Sequence, residues 1–288
     1  MQIIAPIDFG IASATVLKFA SDLALEVGGE VTLLYVHHVL DDPRFDDLRI
    51  DAEIAIERRM QTLIEEAVGP DAACARHISA LSTRDVIADG ILGAAAAADL
   101  IVVGQTESRG VWRFMLGDVT GQVIEKATCP VLVVPAGTSF APPARIRTII
   151  EGDFPSEAYA PPLRELAAAF GSLIDVYRLV AHELDADDDS ELADFVAGQA
   201  HDYHVSTQRA ALFDYLTASV DVLEANWLCT VQRDRAAWVE ALTRSLSERV
   251  AAIAPMPTLV LTNRERRSRL VTVGPSYTAL RSQSPTTD

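Results

Sequence analysis

The chain is short of positive charge. Lys and Arg number 24 against 41 Asp and Glu, a formal net charge of −17. Nucleic acids and anionic membranes attract clustered cations, so neither is an expected partner. Cysteine is sparse as well: Cys74, Cys129 and Cys229 stand far apart and form no CxxC pair. An odd number of scattered thiols suits a reducing compartment, where each acts as a small buried hydrophobe, and a cytoplasmic location is expected. The N-terminus, MQIIAPIDFG, runs directly into a strand-like segment without a basic start or a long apolar core, so no signal peptide is expected. The longest apolar stretch, ILGAAAAADLIVVG, is broken by Asp99 and is too short to span a bilayer. GxxxxGK[ST] and GxSxG are both missing, and Gly10 stands alone where a dinucleotide fingerprint needs three glycines.

What is present is alternation. Residues 3–9 read as a buried strand. Val16, Phe19, Ala20, Leu23, Ala24 and Val27 then recur at helical spacing until Gly28 and Gly29 stop the helix. A strand at 31–37 follows, then a helix with Ile56, Met60, Leu63 and Ala67 on one face, and a strand candidate at 74–80. Ser82 and Asp85 have capping-box spacing and predict a helix starting there. Strands at 99–103 and 131–134 flank a helix at 118–127. Strands alternating with helices imply a parallel sheet covered on both faces.

The pattern is written twice. Residues 149–154, IIEGDF, echo IAPIDF at 4–9, which sets Asp153 against Asp8. Residues 173–180 echo 30–37, with Tyr177 against Tyr35. ADLIVV (98–103) lies on ANWLCT (225–230), and VIEKATCPVLVV (123–134) on VAAIAPMPTLVL (250–261), both at an offset of 127 residues. A constant offset over two fragments indicates duplication of a unit of about 140 residues. Residues 136–145, rich in Pro, Gly and Ser, read as the linker between domain 1 (1–135) and domain 2 (146–263), and 264–288 as a tail whose last dozen residues lack order. LVTV within that tail, at 270–273, is a short-strand candidate.

The segments IIAPIDFG, ADLIVVG and GDVTGQVIEKATCPVLVVP, in that order, resemble the universal stress protein family. The resemblance covers 1–135 and, more faintly through the repeat, 146–262. It implies an α/β fold of two Rossmann-like (adenine nucleotide alpha hydrolase-like) domains, each a five-stranded parallel sheet flanked by helices. It also implies pairing of edge strands 131–134 and 258–261, between the halves or in a homodimer. Many members bind ATP through Gly, two residues, Gly, nine residues, then Gly and Ser or Thr, with an aspartate after the first strand near the nucleoside. Glycines there let backbone N–H groups approach phosphate, and the helix N-terminus favours an anion.

Asp8, Gly104 and Gly117 fit that pattern, and Val103, Val119 and Thr120 complete the candidate nucleotide crevice. Glu107 replaces the second glycine and Asp118 the Ser or Thr. A carboxylate about 4 Å from a phosphate charge costs about 4 kcal/mol at an effective dielectric of 20. Asp118 can instead cap its own helix. Arg109 and Arg113 oppose these acids. At the 127 offset the second half has Val231, Ala237 and Arg244 in place of glycines, so no nucleotide loop is expected there.

No cofactor is therefore expected, with ATP or another adenine nucleotide in domain 1 as the alternative. The expected function is stress response or signalling by binding or association. The alternatives are an ATP-binding member with slow hydrolysis and a nucleotide-processing enzyme of related fold. His201 and His204 read as surface residues, because further metal ligands are missing. The acidic run 183–194 reads as a solvated loop entering a helix. Trp227, aligned with Leu100, reads as core, and Trp112 as a packing or contact residue.

Overall fold

The computed structural model describes residues 1–37, 46–69, 77–104, 118–180, 189–207, 226–231, 256–262 and 278–280. The first half carries β1 (Gln2–Ile7), α1 (Ala12–Val27), β2 (Glu30–His37), α2 (Asp46–Val68), β3 (Ile78–Arg84), α3 (Ile87–Ala94), β4 (Leu100–Gly104), α4 (Asp118–Lys126) and β5 (Val131–Val134). The second carries β6 (Arg145–Glu151), α5 (Pro161–Phe170), β7 (Leu173–Leu179), α6 (Asp189–Val196), β8 (His201–Ser206), β9 (Asn226–Val231) and β10 (Thr258–Leu261). A last strand, β11 (Thr278–Leu280), closes the chain.

All strands join one sheet in the order β11-β3-β2-β1-β4-β5-β10-β9-β6-β7-β8. Pairing is parallel within each half. It is antiparallel where β5 meets β10 and where β11 meets β3. The expected pairing of 131–134 with 258–261 occurs inside the chain. Both strands thereby become interior, flanked by β4 and β9, and neither offers an edge to a second copy.

Strand registers place the repeat more finely than the sequence does. Ile3 faces Val31 on one side and Leu100 on the other; Ile146 faces Ile174 and Trp227. The first two strands of the halves therefore correspond 143 residues apart, and the fourth strands 127 apart. Gly28 (φ 65°) and Gly171 (φ 67°), also 143 apart, end α1 and α5 in the left-handed conformation that glycine adopts without a Cβ clash. The same offset matches Phe9 (φ 58°) with Gly152 (φ 74°) after β1 and β6.

Two alignments made from sequence are thus corrected. Arg178, not Tyr177, occupies the position of Tyr35, since Ile150 pairs with Arg178 as Ile7 pairs with Tyr35. Glu151, not Asp153, corresponds to Asp8. Text similarity tolerates slips of one residue, as at Tyr177, or of two, as at Asp153, whereas strand pairing fixes the register; a slip of one would turn every side chain to the other face.

One core runs across both halves. Ile3, Ala5, Leu100, Val102, Leu132, Leu259, Cys229, Trp227 and Ile146 share the face covered by α1 and α5. Ile4, Ile101, Val103, Val131 and Val260 share the opposite face with α3 and α4. Trp227 is core, as its alignment with Leu100 suggests. It packs at 6.1 Å from Phe19, 6.3 Å from Phe140 and 5.5 Å from Phe170 between ring centroids. Phe140 lies in the segment read as a linker, so that segment is pinned by an aromatic anchor. Arg145, counted in the linker, already begins β6.

Two further expectations change. Ser82 and Thr83 belong to β3, and α3 follows an extended Val86 with no side-chain cap, so the capping box does not form. The strand pairing of β3 with β2 outcompetes that local signal. His201 and His204 lie exposed on the strand that follows α6. Residues 278–280, within the stretch expected to lack order, pair with β3; LVTV lies outside the described residues.

Truncating Trp227 to Ala removes the largest fully buried side chain of this shared core. A loss of about 3–5 kcal/mol is expected in urea unfolding at constant slope. A loss below about 1 kcal/mol would mean that the aromatic cluster does not hold the halves together.

Candidate functional site

Strand order reverses at β1: the chain passes to β2 on one side and reaches β4 on the other. In open parallel sheets that reversal leaves a crevice outside the carboxyl ends of the strands, because neighbouring helices depart to opposite faces. Here a cavity of about 270 Å³ occupies it. Asp8, Val103, Gly104, Val119 and Thr120, five candidates from the sequence, all line it. Gly117 and Glu107 lie outside the described residues, as do Arg109, Arg113 and Trp112. Asp118 is the first residue of α4.

Asp8 is partly committed. Its Oδ1 accepts from the Gly10 backbone N–H at 2.7 Å and from Ser13 Oγ at 3.2 Å. These bonds fix the turn into α1. Gly104 has a packing reason to be glycine. A Cβ there would meet Val16 Cγ2 at 2.8 Å and Ala12 Cβ at 3.0 Å, so the residue lets α1 approach β4. In the second half the corresponding Val231 is buried without conflict, since residues 157–159 form a separate short turn and α5 starts only at Pro161.

Sequence reasoning missed the apolar wall. Ile87 and Ile91 of α3 and Val123 of α4 line the cavity. Nothing in the sequence reading singled them out, and only the third dimension turns them toward the crevice. Ser13, nearly fully buried, was missed too. Among the described lining residues none carries a positive charge. Among the described residues, no group of three or more His, Cys, Asp or Glu is placed to hold a metal, and His204 instead lies 3.1 Å from Asp175 through Nε2.

Beside the crevice runs an aromatic row. Phe9, in its left-handed conformation, packs on Tyr35 at 4.6 Å, and the Arg59 guanidinium lies 4.4 Å over its ring. Tyr35 stacks on His37 at 6.0 Å. His37 does not line the cavity. Burial, and then the positive charge of Arg84, lower its pKa below the usual histidine value. Arg84 itself is ion-paired to Glu53. In the second half, burial pushes the Cys229 thiol up to about 12.

Residues 1–135 match the model of the universal stress protein family. Those residues belong to that family. No curated protein matches the chain. Among solved structures, a universal stress protein from Archaeoglobus fulgidus DSM 4304 aligns at TM-score 0.66 and 17% identity, covering 91% of this chain and 98% of that one. A functionally unknown protein from Pseudomonas aeruginosa PAO1 aligns at TM-score 0.58 and 16% identity over 91% and 92%. The cytoplasmic domain of a prokaryotic cation chloride cotransporter aligns at TM-score 0.50 and 11% identity over 91% and 95%. At these identities the likeness is one of fold, and it extends over both halves of the chain. No described helix is long and apolar enough to cross a membrane.

Two outcomes follow from the site geometry. Gly104→Val should destabilise the fold by about 1–3 kcal/mol, since the added side chain must displace α1; a neutral effect in urea would show that the helix approach is not tight. His37 gives a pH signature. Its folded pKa lies below the unfolded value of about 6.5. The unfolded chain therefore binds more protons in the window between the two values, and stability falls as pH drops through about 6.5. Replacing His37 by Asn should flatten that part of the stability–pH curve, as read from urea midpoints at pH 7.5 and 5.5.

Proposed function

We propose that this is a stress-response or signalling protein of the universal stress protein type that acts by binding or association, without turnover, in a reducing cytoplasm. Its first-half crevice keeps the family's backbone layout but does not retain a triphosphate. The observation that carries this reading is the composition of the crevice: apolar walls and a single carboxylate, Asp8, with no cation among the described lining residues. The sequence adds Glu107 and Asp118 where the family pattern has Gly and Ser or Thr. Each acid near a phosphate charge works against binding by several kcal/mol before screening, and every 1.4 kcal/mol is about tenfold in affinity.

The convergence of Asp8, Val103, Gly104, Val119 and Thr120 on one cavity favours a second reading, an ATP-binding member with slow hydrolysis. Retained nucleotide separates the two. Purified protein should release no ATP on denaturation, and Mg-ATP should leave its melting temperature unchanged. A working site at a hundred times its Kd would add about 2.7 kcal/mol, several degrees of melting temperature. Recovered ATP, or such a shift, would establish the second reading. The double variant Glu107→Gly, Asp118→Ser should gain Mg-ATP stabilisation if the acids are the obstacle; no gain would assign the defect to loop geometry.

A further inference from the structure

The sheet has two ends, β11 and β8. β11 spans three residues and β8 six. β3, the first-half counterpart of β8, is covered by the chain's own β11 in antiparallel pairing. Among the described strands β8 pairs only with β7. A long open edge is a template for another strand.

The hydrogen-bonding parity of that edge is fixed. The N–H groups of Ile174 and Val180 donate to the carbonyls of Ala200 and Ser206. Even-numbered residues of β8 therefore turn their backbone groups toward β7, and His201, Tyr203 and Val205 turn theirs outward. His201 is exposed, Tyr203 half-buried, and Val205 keeps 38% of its surface in solvent.

The sequence of β8 is complementary to itself in the antiparallel sense. Outward-facing residues must oppose outward-facing residues. Centring the pair on Tyr203 sets His201 against Val205 of the other copy and Asp202 against its His204. Shifting by two residues either way shortens the ladder and sets Asp202 against Asp202, or His204 against His204. The centred register instead sets each Asp202 carboxylate opposite an imidazole. Within one chain Arg145 already bonds Asp202 at 2.9 Å, and His204 lies 3.1 Å from Asp175. An apposed His204 brings a ring N–H donor to the carboxylate, whereas an apposed Asp202 sets like charges directly opposite, which is unfavourable.

We propose that β8 is a self-association edge: two copies of this chain pair β8 to β8 about a two-fold axis through Tyr203, joining two eleven-stranded sheets. The interface is isologous, so the same six residues serve both sides. It differs from the pairing of 131–134 with 258–261, which is satisfied inside each chain.

Cross-linking of the full chain tests the register. Cα atoms of a hydrogen-bonded antiparallel pair lie about 5.5 Å apart, within reach of a disulfide. The double variant His201→Cys, Val205→Cys should give a covalent dimer on mild diamide oxidation, which a reducing agent returns to the non-covalent state. Val205→Cys alone, which meets His201 rather than itself, should give no more than wild type. Val205→Pro removes one outward N–H and no bond to β7, so the circular dichroism spectrum should stay while dimerisation weakens at least tenfold in sedimentation equilibrium. Should that variant fail to fold, Val205→Lys takes its place. A monomeric wild type at high micromolar concentration, a dimer unaffected by either Val205 variant, or equal cross-linking of the single and double cysteine variants would each overturn the proposal.

Discussion

The antiparallel contact of β5 with β10 is the constraint on which the architecture rests. Leu132 pairs with Leu259, its own counterpart 127 residues on, so a local two-fold axis passes between those two residues. Each half would otherwise end in an open, largely apolar strand of four residues, a hazard that sheets manage by pairing or covering. Alternation along the two strands then serves both faces at once. Leu132 and Leu259 join the core under α1 and α5, while Val131 and Val260 join the core under α3 and α4. The aromatic cluster of Phe19, Phe140, Phe170 and Trp227 draws one member from the first half, one from the connection and two from the second. A duplicated unit has in this way become one sheet with a continuous interior.

Corresponding positions of the two halves are packed differently. In the first half α1 begins at Ala12 and presses on β4, which requires Gly104. In the second the helix starts later, Val231 fills the space, and Arg178 takes the place of Tyr35. Arg178 donates through Nε to the Gly152 carbonyl at 2.8 Å and lies 4.9 Å over the Phe154 ring. A guanidinium thus packs where the first half stacks Phe9 on Tyr35.

Much of this was legible in one dimension. Period-2 and period-3.6 patterns located β1, α1, β2, β5 and β10 because burial on a face or a stripe leaves a direct trace in the sequence. Asp8, Gly104, Val119 and Thr120 were named through the resemblance to the family's pattern, residue by residue. The capping box at Ser82 misled, because a local signal lost to β2–β3 pairing. Ile87 and Ile91 looked like any other core residues, and β8, polar along most of its length, carried no strand period at all.

The sequence by itself determined the α/β class, the echo of one half in the other, the acids at Glu107 and Asp118, and the burial of Trp227. Composition and periodicity are local, and they act before the chain folds. Only the tertiary structure decided that the two halves share one sheet, that Arg178 rather than Tyr177 answers to Tyr35, and that α3 walls the crevice with isoleucine. Those facts depend on register and on which helix crosses which strand. Contacts between residues distant along the chain set both, and no short stretch of sequence contains them.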